Sequence, residues 1–235
     1  QVRQQAGRDG LTFLEGMRLL AGAPIGIAAN ELPLATPRWS EVHAGEWLAS
    51  TLARLRDPRA TAASKPGKGL RATLRPYQQS GVEWLALLTQ LGLGACLADD
   101  MGLGKTIQVL GLLLLQRGGS DLPNLLVAPA SLLANWQAEI ERFAPGLVTF
   151  VAHAASTAPG ALARVKQQDL AGTDLVMTTY GTMLRLPWLT EVSWHLAVLD
   201  EAQAIKNPGA KQTRVVKAVK ARARIALTGT PIENR

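Results

Sequence analysis

The run Asp99-Asp100-Met101-Gly102-Leu103-Gly104-Lys105-Thr106 follows a short apolar stretch and opens an apolar segment of helical period. Those residue types in that order suit a polyphosphate. Glycines let backbone N–H groups approach the anion, a helix N-terminus adds positive potential, a lysine reaches the β- and γ-phosphates, and a hydroxyl can hold Mg2+. The general phosphate-loop pattern G-x-x-x-x-G-K-[ST] fails here at its first position, where Asp99 stands. A second candidate is the apolar run Leu196-Ala197-Val198-Leu199, which ends in Asp200-Glu201-Ala202-Gln203. Two carboxylates at the C-terminal end of a buried parallel strand stand where such sheets bind ligands. In a phosphoryl-transfer site Asp200 would hold Mg2+, directly or through water, and Glu201 would polarise the attacking water as general base. Read alone, the same pair could do no more than cap the helix that follows.

The elements that must position these residues are short apolar runs alternating with helical patterns. The spacing predicts strands at 95–98, 125–128, 148–151, 175–178, 196–199 and 225–227, with helices at 77–91, 105–117, 131–143, 160–168 and 209–220. Buried strands separated by crossover helices predict an α/β fold with a doubly wound parallel sheet. Upstream the character differs. A leucine-rich patch, a Pro/Ala/Gly-rich link and a helix starting near Ser40, with Trp47, Leu48, Leu52 and Leu55 at helical spacing, lead into a basic, proline-broken linker that ends near Arg75. This predicts a smaller, mostly helical accessory segment over 1–69 and an α/β domain over 70–235.

The 235 residues are 47% hydrophobic and 18% charged, which excludes disordered and fibrous classes. The longest uncharged apolar stretch, near Val109, is far shorter than the roughly 20 residues that span a bilayer. No membrane partner is predicted. The opening QVRQQAGRDG has no apolar signal core, and one cysteine, Cys96, cannot form an internal disulfide, so the expected location is the cytoplasm. A net charge of +7 and a pI near 10.0 favour a polyanionic partner.

Taken together, the two candidate sites and several further motifs resemble the first ATPase lobe of the Swi/Snf-type branch of superfamily-two helicases. Leu74-Arg75-Pro76-Tyr77-Gln78 resembles the family's adenine-reading motif, with Arg75 and Gln78 as the nucleotide contacts. The phosphate loop matches the family's own form, in which an acidic pair precedes Met-Gly-Leu-Gly-Lys-Thr, so Met101, Gly102, Leu103, Gly104, Lys105 and Thr106 are its cradle. Ala128-Pro129 with Ser131, Leu132, Asn135 and Trp136, and then Thr178-Thr179-Tyr180, resemble two motifs that face DNA. Leu227-Thr228-Gly229-Thr230-Pro231 resembles the one that couples hydrolysis to movement. Gln203 makes the acidic box Asp-Glu-Ala-Gln, as in bacterial relatives. The resemblance covers 74–234, about two thirds of the chain.

What this implies is a RecA-like lobe of an ATP-dependent duplex-DNA translocase, using ATP and Mg2+, associated with the nucleoid and acting on nucleoprotein complexes. Lys105, Asp200 and Glu201 would be catalytic, and Thr106 and Asp200 the metal ligands. Ser131, Trp136, Thr178, Thr179, Lys206 and Asn207 would lie on DNA, while Gln203, Thr228, Gly229 and Thr230 would form the coupling set. A second RecA-like lobe would supply arginine fingers, worth on the order of 10³ to 10⁵ in rate. The chain starts at Gln1 and stops soon after the coupling motif, so it is expected to be a fragment that hydrolyses ATP poorly by itself. Other readings are a strand-separating helicase and a nucleotide-switched scaffold.

The remaining signals are weaker. Lys206, Lys211, Arg214, Lys217, Lys220, Arg222 and Arg224 form an acid-free basic run, either a phosphate-contacting surface or a solvated helix face opposite Val215, Val216 and Val219. His43, His153 and His195 have no partner at metal-site spacing, and no zinc site is predicted. Cys96 reads as a small core residue, and Trp47, Trp84, Trp188 and Trp194 as core.

Overall fold

In the computed structural model the chain divides into Gln1–Ala60 and Thr61–Arg235, and the residues described are 69–153 and 159–229, all in the second unit. The upstream segment, with the helix expected from Ser40, most of the basic linker, and Thr230 and Pro231 of the coupling motif lie outside the described residues.

Six parallel strands form one sheet in the order β1-β6-β5-β2-β4-β3. In chain order the elements are α1 (Pro76–Gln90), β1 (Ala95–Leu97), α2 (Lys105–Gln116), β2 (Asn124–Ala128), α3 (Ala130–Phe143), β3 (Thr149–Ala152), α4 (Pro159–Leu162), β4 (Leu175–Thr179), α5 (Tyr180–Met183), α6 (Trp188–Glu191), β5 (Ser193–Leu199), α7 (Lys211–Lys217) and β6 (Lys220–Leu227). Strand alternation loads both faces of the sheet. Leu126, Ala128, Leu175, Met177, Leu196, Val198, Ile225 and Leu227 join the core built with α1, α2 and α3. Their neighbours Leu125, Val127, Val176, Trp194, Ala197 and Leu199 join a second core with the short helices α4 to α7. An all-parallel sheet needs such cover on both sides.

Register decides where the loops emerge. Leu97 pairs with Leu227, Ala226 with Leu199, and Val127 with Leu199, so β1, β6, β5 and β2 end side by side. The segments that follow them, at 99–104, 228–229, 200–201 and 129, therefore meet along one edge.

Three sequence expectations need correction. The helix expected at 160–168 is only the single turn α4 and a separate 3₁₀ turn at Gln167–Leu170, with a break between them. The helix expected over 209–220 stops at Lys217, and β6 begins at Lys220, much earlier than expected. Lys220 thus belongs to a strand, where Lys220, Arg222 and Arg224 face outward in alternation with Ala223 and Ile225 in the core. Cys96 is exposed, because β1 is an edge strand. Trp188 and Trp194 are buried, as expected, and Trp84 is partly buried against the core.

Helices α1 and α2 cross closely at Gly81. A Cβ there would lie 2.0 Å from Oε1 of Gln108, which is 1% exposed, so the glutamine side chain would have to shift within the core. Gln108 also donates to Asp99 Oδ2 at 2.8 Å, tying the start of the 99–104 loop to α2. Asp99, the residue that broke the general pattern, is therefore an anchor. Gly81→Ala is expected to cost about 1–3 kcal/mol in urea unfolding, the usual range for forcing a methyl into a packed contact. No change in the unfolding midpoint would show that Gln108 can move aside.

Candidate active site

The loop after β1 is built around two glycines in left-handed conformation, Gly102 (φ 84°) and Gly104 (φ 80°). Gly104 is the N-cap of α2 and no side chain caps that end, so the first amides of the helix are open to a ligand. The Lys105 ammonium donates to the carbonyls of Asp99 at 2.7 Å and Asp100 at 3.1 Å, folded back over the loop. From the other side α1 braces the loop: Tyr77 Oη and Gln78 Nε2 both donate to the Leu103 carbonyl at 3.0 Å. Gln78 is buried and also accepts from the Arg75 amide, so its side chain is part of the loop's support; Arg75 is exposed.

A cleft of about 250 Å³ opens over this loop, lined among others by Met101, Gly104, Lys105, Thr106, Trp136, Glu139, Asp200 and Glu201. The two candidate sites are one site. Asp200 is held on three sides: its Oδ2 accepts from the Trp136 indole at 2.8 Å, its Oδ1 accepts from the Glu201 amide at 2.9 Å, and its carbonyl accepts from Tyr180 Oη at 2.7 Å. Burial pushes the Asp200 carboxyl above its usual range. The Trp136 and Glu201 hydrogen bonds and nearby Lys105 pull the other way. Tyr180 is raised as well, by burial first and then by the charges of Asp200 and Glu201.

Glu201 takes a left-handed backbone (φ 49°), the only non-glycine residue among those described to do so. Such a conformation costs on the order of 1–3 kcal/mol and persists where surrounding structure dictates it. Its carboxylate accepts from Gln203 Nε2, and Gln203 Oε1 in turn accepts from Thr228 Oγ1 at 3.0 Å. Gly229 sits beside the phosphate loop, where a Cβ would come within 3.1 Å of Met101 Cγ. Of the residues expected to couple the site to movement, Gln203 and Thr228 thus form a physical link from Glu201 to the end of β6.

Three expected DNA contacts have other partners. Trp136 is 3% exposed and serves Asp200, because the apolar face of α3 turns it inward. Thr178 is fully buried and gives its hydroxyl to the Ala152 carbonyl at 2.9 Å. Thr179 caps α5 by accepting from the Thr182 amide at 3.1 Å. Ser131, Lys206 and Asn207 lie on the exposed surface, with Asn207 Oδ1 accepting from the Gly209 amide. Glu139 was missed by sequence reasoning. Burial lifts its carboxyl above the usual range, against the pull of a hydrogen bond to the Thr106 side chain. It stands one helical turn beyond Trp136, and that spacing was the available signal.

Trp136→Phe keeps an aromatic ring in the core, with some loss of volume, and leaves a buried carboxylate oxygen short of its donor. The expected cost is about 1–3 kcal/mol in unfolding free energy. An unchanged midpoint in denaturant would show that Asp200 does not depend on the indole.

The chain is similar to known proteins. A family profile described as SNF2-related domain matches residues 77–235. The chain belongs to the SNF2-related domain family. Among solved structures, the SWI2/SNF2 ATPase core of Sulfolobus solfataricus in complex with dsDNA is 44% identical to this SNF2-related chain, with a TM-score of 0.64 over 71% of this chain and 34% of that one. Its fold is the RecA-like lobe of that core. Of curated relatives, a candidate ATP-dependent helicase/translocase of Bacillus subtilis, YwqA, is 43% identical over 73% of this chain. The TATA-binding protein-associated factor MOT1 of Saccharomyces cerevisiae is 34% identical over 77%. The SNF2-related chain spans 18% of the first relative's length and 10% of the second's.

Proposed function

We propose that this chain is the ATP-binding lobe of a motor that moves along duplex DNA by hydrolysing ATP. The observation that carries the reading is the single cleft in which the uncapped start of α2, Lys105, Thr106, Asp200 and Glu201 converge. The amides at 102–106 and the Lys105 ammonium suit the phosphates of a nucleotide. Glu201 is the base that takes a proton from the attacking water, held at the mouth of the cleft by its strained backbone. Asp200 is left to the metal, its carboxylate oriented by the Trp136 indole and the Glu201 amide. Among the described residues no cluster of three or more His, Cys, Asp or Glu cages a metal. Thr106 and Asp200 instead offer the one or two oxygen ligands with which Mg2+ is bound when phosphates supply the rest. The ion, when bound, neutralises charge on the phosphates as they part. Thr228 and Gln203 relay the state of Glu201 to the β6 terminus.

Duplex DNA as the partner is supported by the dsDNA complex of the 44% identical archaeal core and by the net charge of +7. Ser131, Lys206 and Asn207, exposed after β2 and after the acidic box, are the proposed backbone contacts; phosphate contacts of this kind read no sequence. A second lobe completes the site with arginines. The reading is tested by displacement of a third strand from a triplex on duplex DNA, using this lobe joined to its second lobe. ATP-dependent displacement without separation of the duplex strands is expected. Unwinding of the duplex would replace the translocase by a helicase, and ATP hydrolysis with neither displacement nor unwinding would contradict the motor.

A further inference from the structure

The peptide unit between Asp200 and Glu201 is gripped on both sides. Its N–H, on Glu201, donates to Asp200 Oδ1 at 2.9 Å. Its carbonyl, on Asp200, accepts from Tyr180 Oη at 2.7 Å, and among the described residues no other donor reaches that oxygen. One step earlier the Asp200 N–H donates to the Val127 carbonyl at 2.8 Å, which ties the start of the unit to β2. A peptide is planar, so fixing its oxygen and its hydrogen fixes ψ of Asp200 and φ of Glu201 together. The φ held in this way is the left-handed 49° of Glu201. Turning the plane over would carry Glu201 to a negative φ and relieve the strain, at the cost of both bonds. Of the two, only the Tyr180 bond reaches outside the Asp200–Glu201 pair. Tyr180 is suited to hold it, because its ring is 5% exposed and packed in the core of the short helices just past the end of β4.

We propose that Tyr180 is a positioning residue for Glu201: its hydroxyl clamps the peptide plane that holds Glu201 in its left-handed backbone, and so keeps the carboxylate at the cleft. The inference rests on the reading of Glu201 as general base and adds the residue that sets its backbone. Without the hydroxyl the plane turns, Glu201 relaxes, and its carboxylate leaves the place from which it meets the attacking water. A misplacement of about 1 Å at a reacting group costs on the order of 100-fold in rate. Nucleotide binding, which depends on the 102–106 loop, is untouched.

Urea unfolding of this chain tests the clamp without catalysis. Glu201→Gly relieves a left-handed backbone and should raise the midpoint. In a Tyr180→Phe background, where the plane is free to turn, the same substitution should give no such rise. Equal rises in the two backgrounds would overturn the proposal, as would no rise in either. Where Tyr180→Phe does not fold, Glu201→Gly alone decides, since an unraised midpoint means that no strain is held. In the chain joined to its second lobe, Tyr180→Phe should lower kcat at least about tenfold with KM for ATP within about twofold. Added to Glu201→Gln it should lower turnover no further. Replacing Tyr180 by para-aminophenylalanine, which restores an N–H donor, should recover most of the lost kcat. An unchanged kcat, an equal loss in the Glu201→Gln background, or no recovery with the restored donor would overturn the role. If Glu201→Gln itself leaves turnover unchanged, the reading of Glu201 as base fails, and the unfolding cycle still decides whether Tyr180 sets its backbone.

Discussion

In a chain that joins this lobe to its second lobe, Glu201→Gln is expected to bind nucleotide normally and to hydrolyse it about 10²- to 10⁴-fold more slowly, the range over which a positioned general base acts. The argument is positional. Glu201 lies just past the end of β5, in a left-handed backbone that its neighbours impose, with its carboxylate at the cleft and its amide spent on Asp200. Glutamine keeps that shape and the contact with Gln203 but cannot accept the proton of the attacking water. Single-turnover hydrolysis alongside MANT-ATP binding separates the two effects. Equal turnover in the variant would move the base elsewhere.

The second large effect is expected at Gly104. Its φ of 80° disfavours any residue with a Cβ, and the added atom would lie 2.6 Å from Gln78 Nε2 and 3.1 Å from Ile107 Cγ2. Gly104→Ala therefore strains the N-cap of α2 and dislodges Gln78 from the Leu103 carbonyl, the contact through which α1 braces the phosphate loop. Strain of about 1–3 kcal/mol at this point corresponds to roughly 5- to 150-fold weaker nucleotide binding. Gly102→Ala is the control. It shares the positive φ, 84°, but a Cβ there meets nothing within 4 Å, so its loss should be smaller. Equal losses in isothermal titration would assign the whole effect to backbone strain and none to Gln78.

The residues that meet in the cleft were legible as candidates because their constraints are local. Gly102, Gly104 and Lys105 are set by the geometry of one loop, and Asp200 and Glu201 by the end of one apolar strand. The sheet was legible for a similar reason, since buried parallel strands such as Leu175–Thr179 read as unbroken apolar runs. The start of β6 was hidden by its composition. Lys220 to Arg224 alternates basic residues with alanine, and basic residues with alanine also suit a helix; only the period of two marks the strand. Burial was the other concealed quantity. Thr178, Thr179 and Trp136 carry polar groups that a motif assigns to a surface, whereas the fold spends them on Ala152, Thr182 and Asp200. Glu139 was overlooked for the opposite reason: on an amphipathic helix an acidic residue reads as solvent-facing until its neighbour Trp136 is found in the cleft.

The central claim, that this cleft powers movement on duplex DNA, is tested most directly by steady-state ATP turnover of the two-lobed chain. Turnover is measured without nucleic acid, with duplex DNA, with single-stranded DNA and with structured RNA, against Glu201→Gln as the blank. Strong stimulation by duplex DNA is the predicted result. Turnover that no nucleic acid stimulates, or that prefers RNA or single strands, would contradict it.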